Sequence, residues 1–146
     1  MGYLLLEQRK QGVLPHVFCS KGSAVEDFCG KHSIPYQAQK ELFAVNPLFA
    51  KGVASYCKAQ SIELIHVHDS HAHTFAVMAH ALFGAEAPII VSRRVDFPIS
   101  KSKLSLYKYN HPMVKRILCA SNTIEEIMRE DIARPERLAT VHSGID

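Results

Sequence analysis

Apolar and polar positions change period along the chain, so that helical and strand-like stretches alternate. Residues 2 to 11 carry apolar positions at helical spacing and stop at Gly12, which reads as the end of a helix. VFC, beginning near His16, is a short strand, and Gly22-Ser23 then opens a helix through Lys31. Gln37 to Leu42 reads as a weak strand or an irregular connection. Asn46-Pro47 starts a further helix, running to about Ala59, because proline suits the first helical position. Ile62 to Val67 predicts a strand, about His73 to Phe83 a helix that Gly84 ends, and Pro88 to Ser92 the next strand. SKLSLYKYN, residues 102 to 110, is a basic, amphipathic helix candidate. RILCAS leads into a helix from Ser121 to Asp131 with Ser121-Asn122 as its cap, and LATVH is a last short strand.

Strands that are apolar throughout, alternating with helices across short connections, indicate a parallel sheet covered on both faces. The expected fold is therefore α/β: a doubly wound, mostly parallel, Rossmann-like sheet in a single domain over 1–146. Ligands of such sheets bind at the carboxyl ends of the strands. The polar loops HDSHAH, SRRVDFP and CASN all fall at such ends, which puts them on one edge. A doubly wound domain usually opens with a strand, yet here the chain starts within a helix, so a first strand is expected upstream. An open central strand position predicts either poor stability or a homo-oligomer pairing through it.

Composition narrows the classes. With 146 residues, 47% of them hydrophobic and 21% charged, the chain can bury a core and is not a disordered segment. The net charge of +3 is mild and hints at anionic partners. No apolar run approaches the roughly 18 residues of a membrane span, and the start is too short in apolar residues for a signal peptide. Cys19, Cys29, Cys57 and Cys119 form no CxxC pair, so they read as reduced, structural and cytosolic. Neither a GxGxxG fingerprint nor a P-loop is present.

Five segments carry a family likeness: RKQG before HVFCSKGS, then IHVHDSHAHT, IIVSRRVDFPIS, RILCASNTIEEIM and VHSGID. In this order they resemble the amino-terminal half of GT-B glycosyltransferases, closest to the family 4 retaining enzymes of bacterial envelope and polysaccharide synthesis. The resemblance implies two facing Rossmann-like domains, the first holding mainly the acceptor and the second mainly the nucleotide-sugar donor. It implies no metal and no cofactor. The donor-binding domain and its paired glutamates lie outside this chain, so the chain alone is expected to be inactive. The expected partners are a nucleotide-sugar and a saccharide or lipid-linked acceptor, and the expected location is cytoplasmic, at the inner face of the cell membrane.

The densest chemistry is His66, His68, Asp69, His71 and His73. On a strand His66 and His68 share a face, whereas His71 and His73 fall past its carboxyl end near a helix start, where free N–H groups favour anions. Under the glycosyl-transfer reading His71 and His73 are the candidate catalytic groups, while His66 reads as a hydrogen-bonded core histidine. The competing reading is a metal-dependent hydrolase with His and Asp ligands, although His80, His111 and His142 lack matching carboxylates. A non-catalytic α/β binding module is the third reading. Arg93 and Arg94 follow a strand directly, and a guanidinium fork suits phosphate or carboxylate, which makes Arg93, Arg94, Asp96 and the cap Ser121 the acceptor- or phosphate-binding candidates. An ion pair to Asp96 is the structural alternative for either arginine. From Arg93 to Arg116 seven basic residues surround a single acid, which suits peripheral contact with an anionic membrane. Nucleic acid is not expected, since no recognition module is visible.

Overall fold

The computed structural model describes residues 1–99 and 101–142. Ser100 and the SGID segment at 143–146, both part of the motifs above, lie outside the described residues. Among the described residues, six helices and six strands follow one another: α1 (Gly2–Lys10), β1 (Val17–Ser20), α2 (Ala24–His32), β2 (Tyr36–Gln39), α3 (Pro47–Ala59), β3 (Ile65–Val67), α4 (Ser70–Phe83), β4 (Ile89–Arg93), α5 (Lys103–Asn110), β5 (Val114–Cys119), α6 (Asn122–Arg129) and β6 (Leu138–Thr140). A single 3-10 turn, Pro135–Arg137, precedes the last strand. No helix among the described residues is long and apolar enough to cross a membrane.

Short polar side chains set the helix starts, because each accepts a hydrogen bond from an otherwise orphaned N–H of the first turn. Ser23 accepts from Glu26, Asn46 from Leu48 and Phe49, Ser102 from Ser105, and Ser121 from Ile124. Asp69 does the same for Ala72, which starts α4 at Ser70 rather than near His73. The cap thus draws three residues expected in a turn into the helix. Gly84, with φ +68, closes α4 in the left-handed conformation that glycine adopts without strain.

Every strand pairing among the described residues is parallel, but the expected single sheet is in two pieces. β1 pairs with β2, and a four-stranded sheet runs in the order β3-β4-β5-β6. β3 is shorter than the sequence pattern suggests: Ile65 to Val67 pair with β4, while Ile62 to Leu64 lie outside the ladder. The weak Gln37–Leu42 stretch does form a strand, shifted to Tyr36–Gln39.

Helices cover both faces. Val17 and Cys19 cluster with Leu5 of α1 and Cys29 of α2. Phe18, between them, points the other way and meets the ring of Phe49 on α3 at 5.0 Å. Phe49 in turn lies 4.4 Å from Phe75 of α4, so α3 ties the two sheet pieces together. The larger core surrounds β4 and β5, where Ile89, Val114 and Ile117 have no exposure and Met128 of α6 packs over them. Burial raises the pKa of all four thiols, that of Cys119 to about 11, which keeps them protonated and inert at neutral pH.

Truncating Ile117 to alanine should cost roughly 2–5 kcal/mol, through lost burial and the cavity left behind. The same truncation at Leu14, which is 85% exposed, should stay within about 0.5 kcal/mol. Urea denaturation of the two variants checks both values.

Candidate functional site

Because β3 and β4 are parallel neighbours, the loops that leave their carboxyl ends open beside each other. The histidine turn and the twin-arginine turn therefore share one rim, together with the loop after β2 and the capped start of α6 after β5. Beneath the rim, between β1 and β3, lies a slot of about 890 Å³ whose mouth is lined by Ser20, Glu41, His68, Asp69 and His71.

His71 is exposed at this rim, and its Nδ1 lies 3.1 Å from Glu41 Oε1. A carboxylate accepts, so Nδ1 carries the hydrogen and Nε2 keeps a free lone pair. The other oxygen of Glu41 accepts from Ser20 Oγ at 2.5 Å. Glu41 therefore bridges the end of β1 to the start of α4 across the mouth of the slot. Sequence reasoning missed this glutamate. Its signal was its isolation, as the only acid between Asp27 and Glu63, directly after a strand.

His73 is not at the rim. Only 1% of it is exposed, and its Nε2–H donates to the Lys108 carbonyl at 2.9 Å, while the ring meets Tyr109 edge-on at 4.7 Å. The earlier start of α4 turns the side chain inward, onto α5. Burial first, and then the nearby Lys108 charge, push its pKa down to about 3. An imidazole that is neutral at physiological pH, enclosed, and bonded to a backbone carbonyl has no route to a substrate proton, so the expected catalytic role is withdrawn for His73.

His66 and His68 share a face of β3, with ring centres 4.1 Å apart. His66 Nε2 and Ser92 Oγ are 2.7 Å apart, so His66 is hydrogen-bonded as expected, but it is half-buried and lines the slot rather than the core. His68 is held neutral down to about pH 4 by burial, then by His66 and Arg94, and its Nδ1 has no partner among the described residues. The histidines thus diverge: one reaches Ser92, one Glu41, one Lys108. Among the described residues, no three His, Cys, Asp or Glu side chains converge on a point where an ion could sit.

The arginine pair also divides. Arg93 is buried, donating to the Tyr109 hydroxyl at 3.1 Å and to the Phe97 carbonyl at 2.6 Å, with its guanidinium 5.0 Å from the centre of the Phe97 ring. It ties the loop after β4 to α5 and does not project from the sheet edge. Arg94 is exposed on the rim, close enough that its charge lowers the pKa of both His66 and His68. Asp96 is exposed as well. Among the described residues, no ion pair joins either arginine to Asp96.

The basic segment is not uniformly on the surface. Lys108 is only 6% exposed, and its Nζ donates to Ser70 O at 3.1 Å, Ser70 Oγ at 2.8 Å and Thr74 Oγ1 at 3.3 Å. Burial and then Arg93 depress its pKa, opposed by Asp69. A cation at a helix start is unfavourable, and the Asp69 cap offsets it. Lys101 and Lys103 are exposed, beside the exposed Phe97, Leu104 and Tyr107.

A family model described as Glycosyltransferase Family 4 matches residues 1–146. No curated protein matches the chain significantly. Among solved structures, a glycosyltransferase from Rickettsia africae ESF-5 superposes with a TM-score of 0.76 at 18% identity, over 99% of this chain and 38% of that one. Anabaena Alr3699/HepE in complex with UDP and glucose gives a TM-score of 0.67 at 16% identity, over 90% of this chain and 37% of that one. The apo form of the lipopolysaccharide outer core galactosyltransferase WaaB gives 0.57 at 14%, over 77% and 31%. At these identities the superpositions establish the shared fold, and this chain spans well under half the length of each.

The state of His73 generates a pH prediction. Its folded pKa lies below the ordinary 6.5, so the unfolded chain takes the proton first. The stability it contributes is complete above pH 6.5 and is lost as pH falls toward 3, at about 1.4 kcal/mol per unit. In His73→Gln, the loss of stability between pH 6.5 and 5 should be smaller than in the parent by about 2 kcal/mol. Urea melts at the two pH values measure the difference.

Proposed function

Because the chain belongs to glycosyltransferase family 4, we propose that it is the acceptor-side domain of a retaining enzyme built from two facing Rossmann-like halves. The intact enzyme would transfer a sugar from a nucleotide-sugar to a saccharide or lipid-linked acceptor in bacterial envelope synthesis. The observation that carries the reading is the family match over all 146 residues, on a fold whose parallel strands deliver their polar loops to one rim. UDP and glucose bound to the similar Anabaena structure support a nucleotide-sugar donor. Such a donor would be held mainly by the second half of the enzyme.

On this reading His71, Arg94, Asp96 and Ser121 face the acceptor. His71, oriented by Glu41, offers its Nε2 lone pair to an acceptor hydroxyl. Arg94 offers a fork of donors to a phosphate or carboxylate on the acceptor, and Asp96 accepts from sugar hydroxyls. Ser121 already caps α6 through its oxygen, and its hydroxyl hydrogen remains to donate. Positioning and charge stabilisation supply the catalysis on this side of the cleft. Lys101 and Lys103, beside Phe97, Leu104 and Tyr107, suit contact with an anionic membrane that carries a lipid-linked acceptor. That contact would be made from the cytoplasmic face.

The test uses the full-length gene product and a panel of nucleotide-sugars with saccharide and lipid-linked acceptors. Transfer from at least one donor supports the reading. No transfer or donor hydrolysis with any donor would favour a binding module, and stoichiometric zinc, manganese or iron retained by the imidazoles would favour the metallohydrolase. In the active pair, Arg94→Ala should raise the acceptor KM about ten-fold or more, the loss of a charge-assisted hydrogen bond, and His71→Ala about five-fold, the loss of a neutral one, while donor KM changes little.

A further inference from the structure

The loop from β2 into α3 inverts the usual order of a surface. Of residues 42–48 the polar side chain, Asn46, is buried, whereas the other six are apolar and exposed. Leu42, Phe43, Val45 and Leu48 are the largest of them, and Phe43 is 70% exposed. Hydrogen bonds at both ends hold the inversion in place. Asn46 Oδ1 accepts from the Leu48 and Phe49 amides at 3.1 and 3.4 Å, and Gln39 Nε2 donates to Leu48 O at 2.9 Å. At the other end Glu41 is fixed by Ser20 and His71. Phe49 alone turns inward, onto Phe18 and Phe75. Single apolar side chains on a surface are ordinary, but a contiguous apolar patch on an anchored loop marks an interaction site.

Position and charge select the occupant. The patch begins at the residue after Glu41, whose carboxylate holds His71, so a molecule lying on it continues directly onto the rim. Lys40 and Lys51 are exposed at its two ends, and Lys51 shares a helix face with Leu48, three residues before it. Across residues 28–62 four lysines stand against one acid, Glu41, which is already engaged. Apolar side chains bordered by lysines match an amphiphile with an apolar chain and an anionic head. A second copy of the chain would set lysine against lysine across a two-fold contact. Lysine is also depleted from the cores of protein–protein interfaces, which disfavours a protein partner. On the acceptor-side reading, from which this follows, we infer that the loop is a chain subsite and that the acceptor is an amphiphile. Its apolar chain lies over Leu42, Phe43, Val45 and Leu48, its phosphate or diphosphate linker meets Lys40, and its sugar end reaches His71. A free saccharide leaves the patch bare.

The experiment uses the full-length gene product and one acceptor sugar carried on methyl phosphate or on decyl phosphate, both below the micelle concentration. The parent enzyme should show a KM about ten-fold or more lower for the decyl acceptor. The double variant Leu42→Ser with Phe43→Ser should lose most of that preference, while the KM values for the methyl acceptor and the donor move less than about two-fold. Leu82→Ser, equally exposed at the far end of α4, should change none of them. Decyl phosphate with a terminal diazirine should label the peptide spanning residues 41–51 in the parent and not in the double variant. Transfer with equal KM for the two acceptors would overturn this inference alone, whereas no transfer from any donor would overturn the acceptor-side reading and this inference with it. A double variant that unfolds at a lower temperature but keeps the chain preference would assign the loop to packing within the enzyme. One that keeps the preference but no longer sediments with phosphatidylglycerol vesicles would assign it to a membrane surface. Either result would overturn the inference.

Discussion

Parallel strands cannot be joined by a two-residue turn, because each chain must first travel back along the whole length of the sheet. Among the described residues a helix lies between every two successive strands, and the rest of the architecture follows from this constraint. Helices must lie on both faces, so strands such as Ile89–Arg93 are apolar on both sides. Every strand must also end on the same edge. That edge collects His71, Glu41, Arg94, Asp96 and Ser121 from four separate β-to-α connections, Arg94 and Asp96 sharing the one after β4, although no two of these connections share a helix or a strand. The chemistry of the rim is thus a consequence of strand direction before it is a consequence of any particular side chain.

Along this edge, neighbouring residues of one type meet different fates according to where a helix begins. Asp69 caps α4 at Ser70, which leaves His71 outside on Glu41 and sends His73 inside onto Lys108. Arg93 and Arg94 separate in the same way. Successive residues of a strand point to opposite sides, so Arg93 enters the interior under Tyr109 while Arg94 stays at the mouth. The buried members, His73, Lys108, Arg93 and Tyr109, bond largely to one another or to the surrounding backbone. They lock α5 against α4 and the end of β4, and so hold the exposed rim in place.

The alternation of helix and strand, the caps at Ser23, Asn46 and Ser121, and the stop at Gly84 were legible because each depends on a few adjacent residues. So was the family, since the order of five motifs survives in one sequence. What stayed hidden depends on distant partners. Nothing local to His73 announces that Lys108, thirty-five residues away, takes its hydrogen bond. Glu41 reaches both Ser20 and His71 across loops that the linear pattern does not connect. The division of the sheet likewise lies between β1 and β3, which are separated by two helices and a strand.

The central claim is that this carboxyl edge faces the acceptor. Photo-crosslinking of the intact enzyme with photoreactive saccharide and lipid-linked acceptors, followed by peptide mapping, addresses it most directly. The account predicts labels on the peptides that contain His71 and Arg94. Labels confined to the opposite edge, around residues 11–16 and 84–88, would contradict it.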